Sequence, residues 1–502
     1  MIDLPRRALA RRRLLPVLGL VALLSMLAMA RPVDHDESQY VAAAVLVGEG
    51  LLPYRDFAYL QTPLQPLLFG PLAEWLTTAA YPGLRFVNAL LGALAVLFVF
   101  RASVAGGAGQ HIALAAAGLF AGTDVLLFGT GIARNDALPA AMLAGAVWAI
   151  VASEGASRTR ARAELIGLLL AGAACAKASY ALPAAAYGAW ALAHRDHRPG
   201  WVAAGALLPV ALLAWVAAQA PDAFWFEVFT FPAEAPRQYY EGGRAYKLTL
   251  PVRVLETLLY LGLGAALPAA ITVARATFKQ RKAASLDRVL ELLIVAGLTA
   301  AILPEPTWRQ YLLPMLPPLF VRLARLWARS PPARWERIVF ASFVAAGLAP
   351  TGIALARAAR DGLPMARAIA DGEAIGRALD DAGVTGEIAT LSPQFLPGAG
   401  RLPDPRFAAG PFYFRSSGLI SDADERRFHL VSADRLAAER LPPLVLLGGE
   451  AAWSAGNPAL DAALERVAAP DAIGVLRISG GRFRILIRDP QAARRRASSS
   501  PE

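Results

Sequence analysis

The chain has 502 residues, of which 56% are hydrophobic and 18% are charged, and its mean hydropathy is +0.43. This composition excludes an ordinary soluble enzyme and predicts an α-helical protein that crosses a membrane several times. The net charge is +11, but Lys and Arg cluster in short segments between apolar runs. That pattern indicates orientation in a membrane rather than nucleic-acid binding, and the single cysteine, Cys175, excludes an intrachain disulfide.

The N-terminus combines the features of a secretion signal and of a membrane anchor. Arginines at 6, 7 and 11–13 precede an apolar run at 14–30, and the last three residues, Ala-Met-Ala, resemble a signal-peptidase site. We predict an uncleaved anchor because many more apolar segments lie further along the chain. Cleavage would still deliver the chain from residue 31 onward to the far side.

Apolar segments long enough to cross a membrane, or nearly so, predict about 11 transmembrane helices. They lie at 14–30, 84–102, 110–128, 136–152, 164–180, 181–194, 201–219, 251–274, 289–304, 310–327 and 338–356. The segments at 164–180 and 181–194 could instead form a helical hairpin or a re-entrant pair.

Basic residues test this topology. The loops that would face the cytoplasm if the N-terminus is inside all carry Lys or Arg. They lie at 101, 158–162, 195–198, 275–288 and 322–337. The predicted location is a bacterial inner membrane, with a cytoplasmic N-terminus and a periplasmic or extracellular C-terminal domain. The membrane domain is predicted at 1–356, with a large first outer loop at 31–82.

The tail has a different composition from the rest of the chain. A helical pattern at 366–381 and strand patterns at 387–391, 444–447 and 473–487 predict a small soluble α/β domain at 357–493. Two consecutive glycines, Gly480 and Gly481, lie within the last pattern and indicate a hairpin. The final residues, 494–502, are predicted to be disordered.

The first outer loop begins with an acidic cluster, Asp34, His35, Asp36 and Glu37. Carboxylates this close cannot all ionise freely, so at least one pKa is expected to rise, as suits a general base at a membrane surface. The alternative is a solvated helix N-terminus, in which Asp34 or Asp36 caps the helix and Glu37 is favoured by its dipole. Two short surface helices are predicted within this loop, the second ending near Trp75.

Five short patterns occur in succession along the chain. They are Asp-Glu-x-x-Tyr at 36–40, Gly-x-x-Pro-Tyr-x-Asp-Phe at 50–57, Thr-Pro-Leu at 62–64, Ala-Arg-Asn-Asp-Ala-Leu at 133–138 and Trp-Arg-Gln-Tyr-Leu-Leu-Pro at 308–314. In this order and on the outer side, they resemble membrane glycosyltransferases of the GT-C fold. The resemblance is to the family of protein O-mannosyltransferases, lipid A aminoarabinose transferases and Rgt-type galacturonosyltransferases, and it is closest to the Rgt-type branch. At 62–64 the chain lacks the lysine and proline pair of the aminoarabinose transferases.

The resemblance implies transfer of a single sugar from a polyprenyl-phosphate donor to an acceptor hydroxyl on the outer side, with inversion. Asp36 would be the general base, and Glu37 would orient a substrate or share that role. Asp136 is the second choice for an acceptor-side carboxylate, although it could equally cap the next helix. The acceptor would be a lipid, a polysaccharide or a protein of the cell envelope, and the partners would include membrane lipids but no nucleic acid.

A leaving lipid phosphate needs cations. The candidates near the outer boundary are Lys177, Arg55, Arg134, Arg237, Arg244, Lys247 and Arg309. Lys177 lies in an apolar run, where a lone ammonium needs a partner or a task unless it reaches the surface. Arg309 could instead anchor the chain at the interface. The resemblance also implies substrate contacts at Asp34, Tyr40, Tyr54, Asp56 and Tyr311.

Several alternatives stay open at this point. No cofactor is firmly indicated: the histidines lack metal-ligand spacing, and a divalent ion held by Asp34, Asp36 and Glu37 is an option only. Aromatic residues at 224–226 and 239–240 could stack on sugar or form an interfacial belt, and the segment 410–415 could approach the site or pack as a loop. A transporter or lipid flippase is the main rival function, and a scaffold without chemistry is the third.

Overall fold

The computed structural model describes residues 4–154, 159–241, 243–279, 284–437, 441–452, 456–489 and 491, with side chains from residue 15 onward. The membrane part is helical throughout. Its helices are α1 (Leu4–Ala30), α2 (Glu37–Gly48), α3 (Leu64–Leu76), α4 (Ala80–Ala105), α5 (Gln110–Ala121), α6 (Asp124–Thr130), α7 (Ala137–Val151), α8 (Arg160–Ala176), α9 (Ala181–Ala193), α10 (Pro199–Gln219), α11 (Pro221–Trp225), α12 (Phe231–Tyr240), α13 (Leu250–Gly262), α14 (Ala266–Lys279), α15 (Ser285–Ile302), α16 (Leu316–Arg329) and α17 (Arg334–Asp361). The tail at 494–502 lies outside the described residues.

Some of the described helices meet the length and hydropathy that a membrane crossing requires. Three are long and apolar enough to cross: the α3–α4 segment Leu64–Ala105, α10 and α17. Two bent pairs, α5 with α6 and α13 with α14, would make five if each pair is one span. A helix lies at each of the 11 predicted segments, but the count of 11 crossings stays a prediction.

Two predicted spans, 110–128 and 251–274, are broken rather than continuous, with bends of 67° and 103°. The two breaks touch, because the amide of Asp124 donates to the carbonyl of Leu263 at 2.9 Å. Gly264 has a φ of +136°, and a Cβ there would lie 2.8 Å from the Cα of Thr123. Glycine therefore permits both the turn and the close contact, and the break carries Asp124 into the protein interior.

The first outer loop contains the two predicted short helices, α2 and α3. The prediction that they lie on the membrane surface is wrong for α2, because nine of its 12 residues are buried. Helix α2 packs against α3 and against the C-terminal domain. The loop is thus part of the protein core beside the bundle, and its N-terminus is held in a defined position.

The C-terminal domain contains α18 (Pro364–Asp381), α19 (Pro411–Phe414), α20 (Asp422–Arg427) and α21 (Pro458–Ala468). Its strands are β1 (Ile388–Ala389), β2 (Leu444–Leu447), β3 (Ala472–Ile478) and β4 (Phe483–Arg488), in the sheet order β1-β2-β4-β3. The β1–β2 pair is parallel and the others are antiparallel, with Leu444 opposite Ile487. Gly480 and Gly481 have positive φ in the turn between β3 and β4, so a small sheet with the predicted hairpin is present.

This domain contacts the first outer loop directly. Gly410 has a φ of +61°, and a Cβ on it would lie 2.5 Å from Oγ of Ser38 in α2. The ring of Tyr413 lies 4.3 Å from that of Phe231. The segment 410–415 therefore lies between the loop that carries the acidic cluster and helix α12, which begins at Phe231.

Candidate active site

Three residues of the acidic cluster, Asp34, His35 and Asp36, lie in the six-residue connection between α1 and α2, and Glu37 is the first residue of α2. Asp36 is at the N-cap position of α2 but makes no side-chain cap hydrogen bond. Asp34 accepts the Asp36 amide at 3.0 Å, and Glu37 accepts the Asp34 amide at 2.9 Å. The backbone is thus held by Asp34 and Glu37, which leaves the Asp36 carboxylate available to other groups.

Arg134 connects three carboxylates. It lies in the turn between α6 and α7, and its side chain is only 7% exposed. Its guanidinium contacts Oδ2 of Asp36, lies 3.4 Å from Oδ1 of Asp34, and has Nε 3.3 Å from Oδ2 of Asp136. One buried cation is therefore shared among residues that lie about 100 positions apart in the chain.

This arrangement separates the two aspartates electrostatically. Burial raises the pKa of Asp34, and the neighbouring Asp36 charge adds to the rise despite Arg134. Burial also acts to raise the pKa of Asp36, but Arg134 and then His35 outweigh it, so that pKa lies well below its usual range. His35 Nε2 lies 2.9 Å from Asp36, and this contact holds the pKa of His35 above its usual value despite burial. The expectation that at least one pKa of the cluster rises therefore holds at Asp34, whereas the pKa of Asp36 is lowered and its carboxylate is ionised at neutral pH.

Glu37 is fully buried and fully hydrogen-bonded. Arg85 of α4 donates to both its oxygens, at 2.7 and 2.5 Å. Tyr81 donates at 2.8 Å and the amide of Ala133 at 2.6 Å. Arg85 also donates to the carbonyl of Ala28 at 2.7 Å. These contacts tie the cluster to α1, α4 and the α6–α7 turn.

Lys177 and Asp136 form a second buried pair behind Arg134. Lys177 comes directly after the last residue of α8, and its Nζ contacts Oδ1 of Asp136 while lying 5.5 Å from the centre of the Tyr311 ring. Asp136 precedes α7 but makes no side-chain cap hydrogen bond. Lys177 is 3% exposed, so it points into the protein rather than to the surface.

The other predicted cations lie elsewhere. Arg55 is exposed and pairs with Asp56, while Arg237 is 69% exposed and lies 3.4 Å from Glu305. Arg309 pairs with Asp124 at 2.8 Å. The remaining two lie over aromatic rings: Arg244 over Tyr239 and Tyr240 at 4.9 and 5.3 Å, and Lys247 over Tyr240 and Trp308 at 6.0 Å.

The predicted substrate-contact residues fall into two groups: some lie near the acidic site, and others stabilise the turn of the first outer loop. Tyr40 is buried with its ring edge-on to Tyr59 at 6.1 Å. Tyr54 has a φ of +68° and donates to the carbonyl of Gln61 at 2.5 Å. Asp56 accepts the amide of Leu52 at 2.8 Å, so Tyr54 and Asp56 hold the turn of the first outer loop, whereas Tyr311 lies beneath Lys177.

The C-terminal domain supplies neighbours that sequence reasoning left undecided. The ring of Phe412 lies 5.7 Å from that of His35. The guanidinium of Arg415 lies 4.8 Å from the Phe412 ring centre and 4.4 Å from that of Tyr239. The segment 410–415 therefore approaches the acidic cluster and brings another cation close to it.

Two buried charged residues that hold the first outer loop were not predicted. Arg85 is one, and Glu227 is the other: it is fully buried and accepts the amide of Tyr59 at 2.6 Å. Burial raises the pKa of Glu227 well above its usual value, although the Tyr59 amide opposes the rise. The signal was a lone charge within an apolar or aromatic run in each case.

The geometry also bears on the divalent-ion option. Asp34, His35 and Asp36 each offer a ligand atom, and these atoms lie within 4.8 Å of one another. The option from the sequence had Glu37 as the third ligand, but Arg85 donates to both oxygens of Glu37. Arg134 already places a positive charge on Asp34 and Asp36, so a metal would compete with it, and no step is assigned to a metal.

Comparison with known proteins gives matches in structure alone. No family model matches the chain, and no curated protein matches it in sequence. The structure is similar to that of ArnT from Cupriavidus metallidurans bound to undecaprenyl phosphate, with a TM-score of 0.58, 12% identity, and coverage of 95% of this chain and 98% of that chain. The structure is also similar to the apo form of that protein, with a TM-score of 0.56, 13% identity, and coverage of 98% of this chain and 100% of that chain. The chain therefore has the GT-C fold, as the sequence resemblance implied, while the Rgt-type branch stays a prediction.

Proposed function

We propose that the protein is an integral-membrane glycosyltransferase of the bacterial inner membrane, with its N-terminus in the cytoplasm. It moves one sugar from a polyprenyl-phosphate donor to an acceptor hydroxyl on the outer side, with inversion. The observation that carries the proposal is an ionised, partly exposed Asp36 surrounded by cations at the end of a membrane helix. The fold likeness over nearly all of both chains supports it, and that relative was bound to undecaprenyl phosphate.

Asp36 is the proposed general base. The acceptor oxygen attacks the anomeric carbon, the bond from that carbon to the phosphate oxygen breaks, and Asp36 takes the hydroxyl proton. The low pKa of Asp36 makes it a weak base while Arg134 is fully engaged. A donor phosphate that draws on Arg134 would relax this hold and strengthen the base as the substrate binds.

The cations have a second role at the leaving group. The departing polyprenyl phosphate gains negative charge, which Arg134 and Lys177 are placed to stabilise in a site of low dielectric constant. Asp136 contacts both Arg134 and Lys177 and so positions these two cations. Glu37 positions the acidic cluster through its contact with Arg85. Tyr40, which is buried, and Tyr311, which is partly buried beside Lys177, are the proposed substrate-side aromatics.

The test compares Asp36→Asn with Asp222→Asn, an exposed acid that pairs with Arg427. Envelope glycans and polyprenyl-phosphate sugars are analysed by mass spectrometry in cells that carry each variant. Cells with the unaltered chain should differ from cells without the protein by the mass of one sugar on the acceptor. We expect Asp36→Asn to abolish this difference while the protein inserts into the membrane and unfolds at the normal temperature. Asp222→Asn should behave as the unaltered chain. Glycan masses that do not change with Asp36→Asn would contradict the enzyme and favour a transporter or lipid flippase.

A further inference from the structure

A separate pocket lies where α1 and α17 end. Its volume is about 370 Å³. Its lining includes Arg31, Arg309, Arg357, Arg367, Ile353 and Asp361. Four arginines thus converge on a cavity whose remaining wall is mostly small or apolar.

Two of the arginines are rigidly held by one buried acid. Asp124 has a fully buried side chain, and it lies 3.5 Å from Nη2 of Arg31 and 2.8 Å from Nη1 of Arg309. Arg31 also donates to Thr351 of α17 at 3.0 Å. One carboxylate therefore fixes two guanidinium groups, and a positive charge remains.

The other two arginines are exposed and available. Arg357 makes no hydrogen bond or ion pair with any residue that the structure describes, and Arg367 donates to the backbone carbonyl of Asp361 at 2.6 Å. The carboxylate of Asp361 is engaged by Arg360 at 2.8 Å. The pocket therefore carries a net positive charge, because its four arginines are opposed among the described residues by two acids, the buried Asp124 and the exposed Asp361, and Asp361 is also paired with Arg360.

The apolar side of the pocket continues along the membrane helices. Ile353 lines the pocket and is 55% exposed, and Leu348 of the same helix is 44% exposed. On α1, Met26 and Leu23 are 53% and 48% exposed. Helix α17 is among those long and apolar enough to cross a membrane. A ligand that fits both parts has an anionic head and an apolar tail.

We propose that this pocket binds the phosphate of a lipid headgroup, with the lipid chains lying along α1 and α17. Arginine is suited to this because its planar guanidinium presents several donors to phosphate oxygens. The pocket adjoins the acidic site: the guanidinium carbons of Arg309 and Arg134 lie 3.6 and 5.6 Å from the centre of the same ring, Phe128. Use of the bound lipid as donor or acceptor rests on the proposed function, but the binding itself does not.

The test uses the full-length protein in detergent and native mass spectrometry. The probes are phosphatidylglycerol, undecaprenyl phosphate and, without a phosphate, diacylglycerol. The variant combines Arg357→Gln with Arg367→Gln, which strands no buried carboxylate. The matched control combines Arg334→Gln with Arg337→Gln, two exposed arginines at the opposite end of α17. We expect the pocket variant to bind the phosphorylated lipids about tenfold more weakly, a change that corresponds to roughly 1.4 kcal/mol.

The outcomes separate the sources of the phosphate. Equal losses for both phosphorylated lipids support a general headgroup site, and a loss for undecaprenyl phosphate alone supports a site for the carrier. Unchanged binding in the pocket variant, an equal loss in the control, or an equal loss of diacylglycerol would overturn the proposal. Asp36→Asn should retain the lipid, because Asp36 does not line the pocket. If the unaltered chain shows no sugar transfer but its lipid binding depends on Arg357 and Arg367, the enzyme is contradicted and the pocket is not.

Discussion

Arg134 and Asp36 form an ion pair across the opening between α1 and the α6–α7 turn. His35 lies 2.9 Å from the other oxygen of the same carboxylate, so Asp36 has a positive or polarising group on each side. Arg134 also approaches Asp34 and Asp136. The proton affinity of the proposed base is therefore set by a cation that it shares with two other acids.

We expect Arg134→Gln to move the acid side of the activity profile to higher pH. Arg134 holds the pKa of Asp36 below its usual range, and the proposed transfer requires the ionised carboxylate. Without Arg134 that pKa rises, so kcat/KM begins to fall at a higher pH than in the unaltered chain. The measurement is kcat/KM for sugar transfer between pH 4 and 8, with Arg377→Gln, an exposed arginine on α18, as the control. An unmoved acid limb would contradict the role of Arg134.

Loss of Arg85 should destabilise the protein. Arg85 and Glu37 are both fully buried, and removal of one partner leaves an uncompensated charge, at a cost of roughly 3–5 kcal/mol. Adding Glu37→Gln to Arg85→Met should recover part of this loss, because no buried charge then remains. Thermal unfolding in detergent measures the relative stabilities of the unaltered chain, Arg85→Met and the double variant. Arg55→Gln, which alters an exposed pair in the same loop, should give no measurable change; a double variant less stable than Arg85→Met would refute the account.

Lys177 and Asp136 should act as a coupled pair. Each single change, Lys177→Met or Asp136→Asn, leaves or weakens a buried charge, whereas the double change removes the pair. The free energies of unfolding should therefore be non-additive, with a coupling of roughly 1–3 kcal/mol. If the Lys177–Asp136 pair has only a structural role, the double variant should return towards the unaltered chain in both stability and donor KM. If Lys177 also binds phosphate, the donor KM stays raised when stability returns; additive effects would mean that the contact contributes nothing.

Glu450 should make the protein less stable as pH rises. Burial, with the Asp461 charge adding, raises the pKa of Glu450 from 4.5 to about 7. The folded state therefore binds more protons than the unfolded state between these values, so the free energy of unfolding falls as pH increases through that window. Glu450→Gln keeps an acceptor for the Asn457 amide, which lies 2.8 Å away, and it should add roughly 3 kcal/mol above pH 7.

The unfolding midpoint of the full chain from pH 4 to 8 measures this effect. The Glu450→Gln profile should be flatter, with a smaller slope left by Asp461, whose pKa burial raises to about 6. A variant whose midpoint falls as steeply with pH as that of the unaltered chain would exclude Glu450 as the source.

The amino-acid sequence by itself determined the local elements. Helices lie at the predicted apolar segments, and strands lie near 387–391, at 444–447 and on either side of Gly480. Hydropathy and turn residues act over a few neighbouring positions, so these features can be predicted from short stretches of chain. The ordered patterns from 36–40 to 308–314 also led to the GT-C fold, which the structural likeness confirms.

Only the tertiary structure decided which charged side chains pair with one another. Glu37 and Arg85 are 48 positions apart, and Lys177 and Asp136 are 41 apart, and nothing local specifies that they meet. The breaks before Asp124 and at Gly264 depend on each other although they are distant in the chain, and they turn Asp124 towards Arg31 and Arg309. The pKa of Asp36 had the same cause: the spacing of the carboxylates predicted that at least one pKa would rise but not which one, and the fold lowers that of Asp36 by placing Arg134 beside it.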